Sequence, residues 1–147
     1  SENPTDWTKR MSPNIIGRGT VRSVCTQISP AESDPDTMGR GMAPALQIGR
    51  MDVPSDIEAK YNDYYDNQRT PRNLTVPGCL FVRRYHVVEG APKYLTVYEF
   101  EHEKVPESLV WEEYRKADTM HDYIGGSYSH PPGSPGVYRR ILPARAF

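Results

Sequence analysis

Residues 79–101 read CLFVRRYHVV, then EGAP, then KYLTVYEFE. The outer two runs are rich in β-branched and aromatic residues, and the four residues between them include a glycine and a proline. A pleated, half-buried surface selects that composition, and so short a connection makes the pair an antiparallel hairpin. Val76-Pro77-Gly78 is the turn that leads into it. Upstream, residues 45–53 (ALQIGRMDV) form a first strand closed by Pro54. Ser55 and Glu58 then have capping-box spacing, in which each side chain satisfies a helix N–H that the helix leaves unpaired. The helix they open carries Ile57, Tyr61, Tyr64, Tyr65 and Gln68 on one stripe. Thr70 precedes Pro71, which disfavours the α conformation, so the helix is expected to stop near Arg69. Downstream, Pro106 starts a second helical stretch with Leu109, Val110, Tyr114, Ala117 and His121 on one face. Gly125-Gly126 stops it, and residues 136–142 (GVYRRIL) give a last strand.

The order strand, helix, hairpin, helix, strand predicts an α+β, ferredoxin-like βαββαβ unit. Its sheet would be four-stranded and antiparallel with both helices on one face. The opposite face also carries large apolar residues, so it is expected to meet another sheet. Residues 29–42 (SPAESDPDTMGRGM) are polar, rich in Pro, Gly and Ser, and without periodicity, as a linker is. The chain therefore divides into an N-terminal extension and linker, 1–43, and a domain, 44–147.

Composition narrows the function classes. A chain of 147 residues can bury a core without staples, and a formal charge of −1 gives no bulk attraction to nucleic acid or an anionic membrane. No apolar run approaches the roughly 20 residues of a membrane span, and residues 1–20 lack a signal-peptide pattern. Cys25 and Cys79 stand far apart with no metal-ligand spacing, as reduced thiols of a cytoplasmic protein would. Ten tyrosines stand against three phenylalanines. Tyrosine suits an apolar wall that must also present a hydrogen-bonding tip, which hints at a pocket.

The helix EAKYNDYYDNQRTP, the turn NLTVPG and the hairpin FVRRYHVVEGAPKYLTVYEFE resemble the EthD-like branch of the dimeric α+β-barrel superfamily, over about two-thirds of the chain. The resemblance implies two sheets packed face to face into a barrel, with a ligand cavity between each sheet and its helices. The barrel would form as a homodimer or between tandem units of one chain. Similar proteins include isomerases, decarboxylases, dehydratases, metal-free oxygenases and members of no known activity, so the fold does not fix a reaction. One departure is chemical: Arg69 stands where such proteins commonly carry a histidine ahead of the x-Pro. Arginine cannot shuttle protons near neutrality but binds carboxylates and phenolates well. Residues 3–11 and 19–30 also resemble the end of a preceding unit of the same kind, and GVYRRILP near the C-terminus has a similar shape. The competing reading is a plain extension whose strand pads the sheet edge.

Tyr61, Tyr64 and Tyr65 share one helix face, as core packing or as cavity wall. If Val88 pairs with Lys93, then Arg83 and Cys79 lie opposite Tyr98 and His102 on one face of the hairpin, although a shift of one residue moves the set to the other face. On that register Tyr61, Tyr65, Arg69, Arg83 and Tyr98 are the binding residues, and His102 and His121 are the acid/base candidates. The set suits proton-transfer chemistry beside a carbonyl, such as isomerisation, dehydration or decarboxylation, on an aromatic or polyketide-like ligand without cofactor. The bland reading of Arg83, Arg84, Glu99 and Glu101 is cross-strand charge pairing. His86 near the hairpin tip reads as solvated, and His130 beside Pro131-Pro132 as part of a lid or of the surface. No three ligands have metal-site spacing, and a haem reading lacks an axial ligand. The alternative to an enzyme is a non-catalytic binding or assembly module.

Overall fold

A computed structural model describes residues 22–30 and 41–142. Five antiparallel strands form one open sheet: β1 (Val24–Ser29), β2 (Ala45–Met51), β3 (Cys79–Glu89), β4 (Tyr94–Phe100) and β5 (Gly136–Arg139), in the order β1-β3-β4-β2-β5. Strands β2 to β5 are the four expected, arranged as in a ferredoxin-like fold. The sheet differs in its fifth member: β1 runs antiparallel along the free edge of β3, with Cys25 beside Val87 and Gln27 beside Tyr85. An edge strand presents unpaired N–H and C=O groups, and β1 satisfies that row. The rest of the N-terminal segment, including most of the expected linker and residues 3–11, lies outside the described residues.

The hairpin forms where the sequence puts it, but its register differs by one residue. Val87 N–H donates to Lys93 O at 2.8 Å, and His86, Arg84 and Val82 pair with Tyr94, Thr96 and Tyr98. Arg84 therefore faces the helices, and Arg83 faces the opposite side of the sheet. There Arg83 Nε donates to Glu99 Oε2 at 2.7 Å, the charge pairing of the bland reading with its partner now fixed.

Both helical stretches depart from expectation for local reasons. The first begins at Glu58 with Ile57 at its N-cap and no side-chain cap. Ser55 and Glu58 thus form no capping box; Glu58 instead accepts from Tyr94 Oη at 2.5 Å. Pro71 does not end this helix. It runs as α1 (Glu58–Tyr64), a π-turn (Tyr65–Arg69) and α2 (Thr70–Asn73), with Thr70 N–H bonding back five residues to Tyr65 O. Proline offers no N–H and crowds the carbonyl four residues earlier, and one wide turn relieves that crowding without breaking the helix.

The second stretch is not continuous. A 3₁₀ turn (Val105–Glu107) leads into α3 (Leu109–Lys116), which Ser108 caps by accepting from Trp111 N–H at 3.3 Å. The chain then breaks at Asp118 and restarts as α4 (Met120–Ile124). The buried residues are Trp111, Met120 and Ile124, whereas Leu109 is 82% exposed and Ala117 and His121 are exposed too. Val110 and Tyr114 of the expected face do pack against the core, and the break at Asp118 separates His121 from them.

Two clusters form the core between sheet and helices. One gathers Ala45, Val76, Val82, Tyr98, Phe100, Val105 and Trp111, with Trp111 edge-on to Tyr98 and to Phe100 at 5.2 Å from each. The other gathers Met51, Val53, Tyr61, Tyr64, Tyr65, Tyr94, Met120 and Ile124. Between them the sheet presents Gln47, Gly49 and Thr96, which are polar or lack a side chain. Apolar packing is interrupted there, and the cavity lies there.

Candidate functional site

The cavity has a volume of about 290 Å³. Its floor is Gln47 and Gly49 of β2 and Thr96 and Tyr98 of β4; its helical wall is Tyr65, Arg69, Arg72, Asn73, Pro106, Trp111, Tyr114 and Arg115, the last paired with Glu112; Asp118, His130 and Pro135 border the remaining side, which is partly open to solvent. An apolar cavity of about 150 Å³ accommodates benzene, so this space takes one substituted ring. Gly49 is part of the reason: a Cβ there would meet nothing nearer than Thr96 O at 4.0 Å, so a larger side chain would point into open space.

The charged side is built around Asp118. Arg72 Nη2 donates to Asp118 Oδ2 at 2.8 Å, and Arg69 Nε lies 3.6 Å from the same oxygen. Asp118 Oδ1 accepts from Met120 N–H at 2.9 Å, so the carboxylate that breaks the helix also starts the next one. Two guanidiniums sharing one carboxylate leave one unit of positive charge at the cavity. The π-turn sets Arg69 in place: its Nη1 donates to Tyr65 Oη at 3.2 Å, and its guanidinium lies 5.1 Å from the centre of that ring. Arg72 lies similarly over Tyr114, at 5.6 Å. Burial pushes the Tyr98 hydroxyl above the usual phenol range, against the pull of Arg69, so Tyr98 is a neutral donor at neutral pH.

Of the residues expected from sequence, Tyr65, Arg69 and Tyr98 meet at this cavity. Tyr61 packs behind its wall, fully buried, 4.8 Å from the Tyr65 ring. Arg83 is on the other face of the sheet. His102 lies past the end of β4, exposed, its Nδ1 accepting from Lys104 N–H at 3.2 Å. His121 is exposed on α4 and packs against Gly126 and, edge-on at 6.3 Å, Tyr128. Neither histidine lines the cavity. Sequence reasoning missed Asp118 and Arg72, and read His130 as part of a lid or of the surface without placing it at this cavity. Asp118 and Thr119 interrupt the helical pattern, and that interruption was the available signal; nothing local places His130 beside β2.

Arg84 is a buried charge of a different kind. It is 1% exposed, donates to Asp66 Oδ1 and Asn62 Oδ1 at 2.8 Å each, and lies 4.5 Å from the centre of the Tyr65 ring. Cys79 is not a ready nucleophile, since burial and then Glu99 push its thiol up to about 12. Among the described residues no three His, Cys, Asp or Glu side chains converge as metal ligands, and no helix is long and apolar enough to cross a membrane. No family model, curated protein or solved structure matches the chain.

Proposed function

We propose that this chain binds a compact anionic aromatic or enolic molecule and carries out cofactor-independent proton transfer next to its carbonyl, the chemistry of isomerisation, dehydration or decarboxylation. The observation that supports it is the Arg69–Arg72–Asp118 group, with one unit of uncompensated positive charge, beside an aromatic-walled cavity of one-ring size. A carboxylate or enolate seats against the guanidiniums, the ring lies between Trp111 and Tyr65, and the neutral Tyr98 hydroxyl donates to an oxygen. Calorimetric titration with benzoate and phenylpyruvate tests the binding step, with their neutral amides as controls. Measurable binding of the acids, at least tenfold tighter than of the amides, is the expected result; equal or absent binding removes the reading. Gly49→Val narrows the cavity without touching a charge and is expected to weaken both acids about tenfold while leaving the melting temperature within a few degrees.

A non-catalytic binding module of the same fold is the second reading, favoured by the placement of His102 and His121 away from the cavity. The two separate on turnover, since a module binds the acids and leaves them unchanged.

The other face of the sheet bears on assembly. Leu46, Ile48, Phe81, Tyr85, Leu95 and Val97 alternate with the helix-facing residues and are only half-buried. We propose that two such faces pack together, as a homodimer or between tandem units, in the barrel that the EthD-like resemblance implies. Val97→Lys puts a charge at the centre of that face, and sedimentation velocity is expected to show a dimer for the parent chain and a monomer for the variant. A parent chain that sediments as a monomer at 100 µM excludes the homodimer.

A further inference from the structure

The strongest feature that the reading above leaves unused is the loop between α4 and β5. It turns at Gly125, whose φ is +83°, and is then stapled to β2. Asp52 and Ser129 exchange backbone hydrogen bonds of 2.8 and 3.0 Å. Ser134 Oγ accepts from Arg50 N–H at 2.7 Å and donates to Arg50 O at 3.0 Å. His130 is held between these two anchors, solvent-exposed at the open side of the cavity that it lines. Its Nδ1 lies 3.0 Å from Arg50 O. A carbonyl oxygen only accepts, so Nδ1 carries the proton, and in the neutral ring the lone pair is on Nε2.

That matters because the cavity's other titratable groups are unsuited to act as a base. Asp118 is held by Arg72 at 2.8 Å. The phenol of Tyr98 keeps its proton, and arginine does not give one up. The guanidiniums stand on the helical wall and His130 on the loop that borders β2. A ligand that spans the two walls has its carboxylate at one and an acidic C–H at the other, separated by a carbonyl.

We propose that His130 is the catalytic acid/base of this cavity and that the substrate class is an aryl-substituted 2-oxo acid; the proposal rests on the anion-binding reading above. His130 Nε2 takes a proton from C3, and the C3–H electron pair becomes the C2=C3 double bond. The carbonyl π pair moves to the oxygen, which becomes an enolate accepting a hydrogen bond from Tyr98. The imidazolium then returns its proton to C3, the enolate re-forms the carbonyl, and no oxidant or cofactor enters the balance. In deuterated water each cycle replaces hydrogen with deuterium at C3.

The test follows the C3 proton signal of phenylpyruvate by NMR in deuterated buffer, with calorimetric binding measured in parallel on the full chain. Exchange is expected at least tenfold above buffer. His130→Gln, whose amide can still donate to Arg50 O, is expected to lose about a hundredfold of the enzymatic exchange, in the range typical for a positioned acid/base, and to bind phenylpyruvate as before. Gly49→Val should lower both. A His130→Gln protein that exchanges at the parent rate overturns the assignment of His130. A parent chain that binds phenylpyruvate without exchanging it overturns the proton transfer and leaves the binding cavity standing. A parent chain that does not bind it overturns the anion-binding reading and this inference together.

Discussion

Arg84→Ala is expected to lower the stability of the fold by about 3 kcal/mol or more, a fall of roughly 10 °C in melting temperature for a domain of this size. The guanidinium is 1% exposed and sits among Tyr61, Tyr65 and Tyr94, at 5.2, 4.5 and 5.9 Å from their ring centres. Three contributions disappear together. The stem and head fill space between strand and helix, so alanine leaves a cavity. A cation–π contact in a desolvated site is worth about 2 kcal/mol. The hydrogen bonds to Asp66 and Asn62 are charge-assisted. One factor limits the loss: Asp66 is 47% exposed, so its carboxylate regains water when the arginine goes and is not left as a buried orphan. Arg84→Met keeps most of the volume and should recover about half of the difference. Thermal unfolding followed by circular dichroism measures both. A loss below about 1 kcal/mol for the alanine variant would mean that the three tyrosines close over the space by themselves.

The same arginine shows where sequence reading reaches its limit. Alternation in residues 79–101 identifies two strands and their pairing, because β-branched and aromatic residues at that spacing have little else to form. It does not decide which of Arg83 and Arg84 faces inward, since the two adjacent positions carry the same residue and only the turn distinguishes them. The turn puts Val87 N–H against Lys93 O, one residue from the expected pairing, and that shift turns Arg84 rather than Arg83 inward on β3 while Thr96, Tyr98 and Phe100 of β4 keep the expected face. Periodicity likewise finds the tyrosine stripe of the first helix, because Tyr61, Tyr64 and Tyr65 are all buried. It cannot find the π-turn, which depends on what the helix gains by continuing past Pro71 into the contacts of Arg72. Arg72 and Asp118 are 46 positions apart and His130 and Arg50 are 80 apart. Such pairings come from the closed fold, so Arg69 was legible as a cavity residue while the carboxylate it shares was not.

The charge of the cavity makes the second large prediction, and its sign is what tests it. Removing both cations in Arg69→Gln/Arg72→Gln is expected to weaken benzoate binding about a hundredfold, since each charge-assisted hydrogen bond is worth roughly 1.5–3 kcal/mol. Asp118→Asn should do the opposite. The carboxylate now neutralises one of the two guanidiniums, with Arg72 at 2.8 Å and Arg69 at 3.6 Å. A negative charge about 5 Å from a bound anion repels it by roughly 3 kcal/mol at an effective dielectric constant near 20. Side-chain exposures of 15% to 27% in the group let water screen part of that. About a tenfold tightening is therefore the expected gain. Asparagine keeps an oxygen for the Met120 N–H, so the start of α4 survives and the protein should still fold. It no longer holds the arginines, so some melting temperature is given up for affinity. A protein in which these residues formed only a structural clasp would behave otherwise. There, Asp118→Asn would loosen both guanidiniums and weaken benzoate binding together with the double arginine variant. Opposite signs in the two calorimetric titrations place the anion at the guanidiniums, and equal signs move it elsewhere.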